Sequence, residues 1–152
     1  MQYQTKRIIG SIFLSTFAGI AIFTAVAHLS CIYLGASCYR AQLAPADIID
    51  SAIAGTWYAP TATVFISALF LTTAAYALSV LKWIKPLPML RPAIFTISTL
   101  CLVRGAITLP LAIVFPEKTT SFAIVAGGIW FLAGVFCLVG FKFIKNQEKD
   151  KQ

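Results

Sequence analysis

Four long apolar runs without a single acidic residue leave most of this chain only one suitable solvent. No fixed charge occurs between Arg7 and Arg40, and Ile8 to Leu29 is almost wholly apolar. About 20 such residues are enough to cross a hydrocarbon core. Charge is absent again from Ser51 to Leu81, so Tyr58 to Leu81 can cross back, with Trp57 and Tyr58 suited to an interfacial aromatic belt. Ala93 to Phe115, bounded by Pro92 and Pro116, is apolar apart from Arg104, and Phe122 to Phe141 is apolar throughout. The predicted spans are 8–29, 58–81, 93–115 and 122–143. A β-barrel would need alternating segments of about ten residues, whereas these runs are continuous and about twice as long. The expected fold is therefore all-α: one membrane domain over residues 1–152, a polytopic four-transmembrane-helix bundle with a short external interfacial helix. Composition agrees, since 59% of residues are apolar and 11% charged, against about a quarter charged in soluble domains.

The basic residues orient the spans. Lys6 and Arg7 precede span one; Lys82, Lys85 and Arg91 lie between spans two and three; Lys142, Lys145, Lys149 and Lys151 follow span four. The other two loops hold only Arg40 and Lys118. The positive-inside rule places both termini and the middle loop in the cytoplasm, and the size and style of the chain suggest a multi-pass protein of a bacterial inner membrane. A net charge of +7 then reflects topology and lipid headgroups, with no nucleic-acid partner required. Lys6-Arg7, an apolar run and Ala25-Val26-Ala27 also outline a secretory signal, but the run exceeds the usual 7 to 15 residues and is kept as a span.

The external loop, 35–57, is the longest connection and holds most of the polar chemistry. Within it Pro45 to Ala54 reads as a helix: Pro45 suits a first turn, Asp47 favours that end of the dipole, and Gly55 supplies a left-handed stop. Ile48, Ile49, Ala52 and Ile53 would form its apolar side. Pro86, Pro88 and Pro92 stiffen the cytoplasmic loop, 82–92, and the cytoplasmic tail, 145–152, is charged. Small residues recur at packing intervals in Ser11, Ser15 and Gly19, in Thr63 with Ser67, in Ala68 with Thr72, and in Ala123 with Gly127.

Arg104 is the most informative residue. It lies eleven positions beyond Ala93, near mid-bilayer, where a charge costs at least about 3 kcal/mol. No span contains Asp or Glu, so compensation must come from a loop carboxylate, with Asp47 and Asp50 as candidates, or from an anionic ligand such as a lipid phosphate, a carboxylate or a quinone oxygen. His28, the only histidine, can build neither a three-nitrogen zinc site nor a bis-histidine haem site within one chain. Cys31 and Cys38 are placed for a disulfide on an oxidising side, while Cys101 and Cys137 fall in spans three and four. A small four-span protein with external cysteines is similar in architecture to the quinone-linked disulfide-generating oxidoreductases, although the chain has no Cys-x-x-Cys. Proton-coupled export of the small multidrug-resistance kind needs an intramembrane carboxylate, and none is present.

Leu34-Gly35, Tyr39-Arg40, Ala54-Gly55-Thr56-Trp57-Tyr58, Leu102-Val103-Arg104-Gly105 and Leu109-Pro110 together resemble a group of small uncharacterised bacterial four-span inner-membrane proteins, over residues 8–143. The resemblance carries no activity and implies that Tyr39, Arg40, Trp57 and Arg104 share one external-facing site. The expectation is a non-enzymatic accessory subunit or a binder of a lipid-like or small anionic ligand. Arg104, Arg40, Tyr39, Trp57 and His28 are its candidate ligand-binding residues, and Arg104 with Asp47 or Asp50 is the competing structural ion pair. No metal or cofactor is expected; the partners are the lipid bilayer, a ligand, and a membrane protein or second copy. The alternative is a thiol or quinone redox protein using Cys31 and Cys38.

Overall fold

A computed structural model describes residues 2–115 and 120–149; Pro116, Lys118 and Lys151 lie outside the described residues. Among the described residues six helices follow in order: α1 (Gln2–Leu34), α2 (Ala36–Ala41), α3 (Ala46–Ala54), α4 (Tyr58–Val80), α5 (Leu90–Val114) and α6 (Ser121–Lys149). No strand occurs among the described residues. Four helices contain stretches long and apolar enough to cross a membrane: Gln4–Leu34, Tyr58–Val80, Leu90–Val114 and Ser121–Asn146. Helix is what lipid demands of such stretches, because it satisfies backbone N–H and C=O groups within the segment. The chain is an all-α integral membrane protein with four spans. Several boundaries differ from expectation, and α6 continues as helix to Lys149, beyond the predicted 143 and into the segment read as the cytoplasmic tail. The first helix extends beyond 8–29 in both directions, since polar residues outside the hydrocarbon can still continue a helix. The third starts at Leu90, ahead of Pro92, because proline is tolerated in a first turn where its missing N–H has no partner.

The helices group into two compact units, one formed by Ile20–Thr73 and the other by Met1–Gly19 with Ala74–Gln152. In the second of these, α5 and α6 approach at glycines. A Cβ on Gly105 would fall 2.5 Å from the Phe131 Cβ and 2.7 Å from the Gly127 carbonyl oxygen. One on Gly127 would meet the Thr108 Oγ1 at 2.5 Å, and one on Gly134 the Cys101 Cβ at 3.0 Å. Rising numbers on α5 therefore match falling numbers on α6, the signature of an antiparallel pair. The seam continues at Ser98 beside the Cys137 thiol and at Phe95, whose ring meets that of Phe141 edge-on at 5.9 Å.

The start of α1 packs on α6 in the same way. Gly10 faces Gly140 and Phe143, and the rings of Phe13 and Phe136 stack at 4.7 Å. This corrects the Ser11, Ser15 and Gly19 face: Gly19 is exposed with nothing near its Cβ position. The buried stripe of α1 is Leu14, Phe17, Ala18, Ala21 and Ala25, because a row of side chains that fill space outcompetes one that merely permits close approach. Thr63 and Ser67 are buried as expected for a packing face, whereas Ala68 and Thr72 are exposed.

The connection from α4 to α5 is fixed by more than its prolines. Lys82 takes the left-handed conformation, φ 62°. Its N–H bonds the Ser79 carbonyl and that of Trp83 bonds the Leu78 carbonyl, which closes the helix end without a glycine. The buried Ser79 hydroxyl donates to the Lys85 carbonyl and accepts from the Leu87 N–H, and the Tyr76 hydroxyl donates to the Pro88 carbonyl.

If close glycine contact holds α5 to α6, Gly105→Ala should lower thermal stability in detergent, by about 1–3 kcal/mol for an overpacked site. Gly128→Ala, which has open space around its Cβ position, should leave the melting temperature unchanged or slightly raise it. Equal behaviour of the two variants would refute the seam.

Candidate functional site

The unit Ile20–Thr73 contains the loop that the sequence singles out. α1 ends at Leu34, and Gly35 takes φ 72°, ψ −158°, a region open only to glycine. This turn folds α2 back so that Cys38 meets Cys31, and the two form a disulfide with Cα atoms 5.1 Å apart. The Gln42 amide then donates to the Ala27 carbonyl at 2.7 Å, tying the segment after α2 to α1.

Tyr39 projects from α2 into a small core with Cys31 and Ala59, packed by Ala44, Ile48, Ile49 and Ala52. Thr63 uses its single hydroxyl proton on the Ala59 carbonyl at 2.8 Å, so the Tyr39 hydroxyl is the donor in their 2.9 Å hydrogen bond. Tyr39 is therefore a core residue of this unit, and the expectation of a ligand-facing rim position does not hold for it. α3 runs from Ala46 to Ala54, ends at Gly55 in the left-handed conformation, φ 66°, and lays Ile48, Ile49 and Ala52 on that core. Ile53, expected on the same side, is exposed. Pro45 stands at the N-cap position rather than inside the first turn.

Ser51 joins α3 to α4. Its hydroxyl accepts from the Ala59 N–H at 2.9 Å and shares a 2.6 Å hydrogen bond with Thr56. It thus caps the first turn of α4 from another element, where N–H groups lack intrahelical partners. The Tyr58 hydroxyl donates to the Asp47 carboxylate at 3.0 Å. Gln42 and Ser51 were not legible as site residues, because each acts on a backbone group distant in sequence.

The remaining candidates fall in different settings. His28 is half-buried, its ring parallel to that of Phe70 at 5.5 Å. Arg40, Asp50 and Trp57 are exposed. Arg104 belongs to the other unit and is exposed on α5. Among the described residues no group of three or more His, Cys, Asp and Glu could hold a metal ion.

Comparison with models of known protein families, with curated sequences and with solved structures finds no match to this chain. Function is therefore argued from its own residues. The arrangement around α2 and α3 offers a fastened cap whose disulfide joins the wholly buried Cys31 to the half-buried Cys38, while Cys101 and Cys137 in the other unit are free thiols. The chemically unusual group is Arg104.

Two outcomes check the cap. Mass tagging of the denatured, unreduced protein should label only Cys101 and Cys137, with Cys31 and Cys38 labelled only after reduction. Ser51→Ala should lower stability by about 1 kcal/mol through loss of the cap on α4, read as an earlier thermal transition; an unshifted transition would show that water replaces the hydroxyl.

Proposed function

We propose that the protein is a non-enzymatic membrane protein of the bacterial inner membrane, an accessory or binding component that receives an anionic group on Arg104. One observation carries this reading. The guanidinium sits well inside α5 and is exposed, no Asp or Glu lies within the four apolar stretches, and a charge at that depth costs at least about 3 kcal/mol. A planar guanidinium matches the paired oxygens of a carboxylate or a phosphate. Arg40 adds a second exposed cation on α2, and Trp57 and Tyr58 suit the headgroup level.

In this reading both termini and the loop between α4 and α5 are cytoplasmic and the α2 and α3 side faces the periplasm. The basic residues support that orientation, as does the Cys31–Cys38 disulfide, since such bonds persist on oxidising sides of membranes. The redox alternative is weaker because disulfide exchange needs access to a sulfur, and Cys31 is wholly buried.

Native mass spectrometry in mild detergent tests the proposal. The wild-type chain should retain a discrete anionic species that Arg104→Leu loses while keeping its thermal transition. A ligand-free wild-type mass would overturn the reading, and so would an Arg104→Leu chain that fails to accumulate, which would make Arg104 structural.

A further inference from the structure

We infer that the exposed face of α5 docks a membrane-spanning helix of another protein carrying a carboxylate near mid-bilayer. The inference rests on the anion-binding reading of Arg104 and names the anion's source. Depth argues first. Arg104 lies ten residues before Val114, the last residue of α5, or about 15 Å along the helix at 1.5 Å per residue. The opposite end at Leu90 is about 21 Å away by the same rise. A long side chain can snorkel to headgroups from near a helix end, but Arg104 is close to the middle of its span, far from either phosphate layer.

Charge argues second. The five acidic residues of the chain are Asp47, Asp50, Glu117, Glu148 and Asp150, and none lies within the four stretches that can cross the membrane. A second copy packed on α5 would bring another Arg104 at matching depth and no carboxylate at all. The counter-charge must come from a different protein, and a carboxylate is the side chain that meets a guanidinium with two parallel hydrogen bonds.

Shape argues third. Leu100, Val103, Ile107, Leu111 and Val114 are all exposed, at intervals of three and four residues that draw one stripe along the helix. Arg104 flanks the centre of that stripe. α5 is also the least buried of the four spans, because its close approach to α6 through Gly105 occupies only one side. The result is a helix-length apolar seam with a positive charge at its middle, complementary to an apolar helix with a central Glu or Asp.

The test uses the full chain in phosphatidylcholine vesicles with synthetic Leu/Ala membrane-spanning peptides bearing a central Glu, Gln or Lys, and reads association by resonance energy transfer. The Glu peptide should associate about tenfold more tightly than the Gln peptide, and the Lys peptide more weakly than either. Arg104→Gln should abolish the preference and Arg104→Lys should keep part of it. Equal association of the Glu and Gln peptides with the wild-type chain would overturn the inference, and this contrast stands even where Arg104→Gln fails to fold. Native mass spectrometry of the same proteins from phosphatidylglycerol vesicles separates the two readings. Arg104-dependent lipid retention without peptide preference would keep the anion-binding reading and reject the helical partner; neither signal would reject both.

Discussion

Hydrocarbon supplies no hydrogen-bond partners, and several polar groups in the four spans are placed to answer that constraint. Backbone groups are satisfied by helix. Hydroxyls turn back onto carbonyls: Thr24 onto Ile20, Thr63 onto Ala59, Thr72 onto Ala68 and Thr108 onto Arg104. Ser67 reaches across instead, donating to the Ala25 carbonyl of α1. Ser98 and Arg104 depart from this pattern. The Ser98 hydroxyl is buried with no hydrogen bond to nitrogen or oxygen, but it lies against the Cys137 thiol, a weak and polarisable neighbour. Arg104 has no comparable shelter, and its charge makes the deficit larger.

Because lipid tails are as apolar as the side chains, helices in a bilayer gain little by hiding apolar surface from each other; packing contacts and hydrogen bonds must hold them. The chain uses these two devices in different places. At the crossings of α6 with α5 and with α1, glycines admit backbone to within contact of the neighbouring helix. Around α2 and α3, where the segments are too short to span, the disulfide, Gln42, Tyr39 and Ser51 fasten the loop through polar bonds to α1 and α4. That division follows the solvent: dispersion contacts serve in hydrocarbon, and hydrogen-bonded fastening serves where loop backbone would otherwise be loosely tied.

The features legible in the sequence are those set by local pattern. Long acid-free runs define the four spans, Gly55 stops α3 where a left-handed residue is needed, and Cys31 and Cys38 stand close enough in sequence to pair once Gly35 turns the chain. The features that were not legible depend on partners remote in sequence. Tyr39 and Arg40 read as residues of one external-facing site, yet α2 turns Tyr39 into the core and leaves Arg40 exposed. Ser11, Ser15 and Gly19 form as regular a stripe as Leu14, Phe17 and Ala21, and only the neighbouring helix decides which is used. Lys82 carries a left-handed helix end usually given to glycine, and nothing in its residue type announces it.

Arg104 joins the two levels. It is an anomaly because it stands well inside a span while the acidic residues of the chain lie outside the spans. A leucine at that position would rest in lipid at no cost, whereas arginine makes the isolated chain less stable in the membrane. Such a group is sustained when an anion offsets the penalty, and the offset exists only in the bound state. On the proposed reading the isolated state carries an electrostatic cost that an anion bound at α5 would remove. Glycine packing on the α6 side keeps that site in place, because Gly105 adjoins Arg104 and anchors it to the seam. The charge is held in a fixed position on a rigid helix rather than on a loop that could carry it toward water.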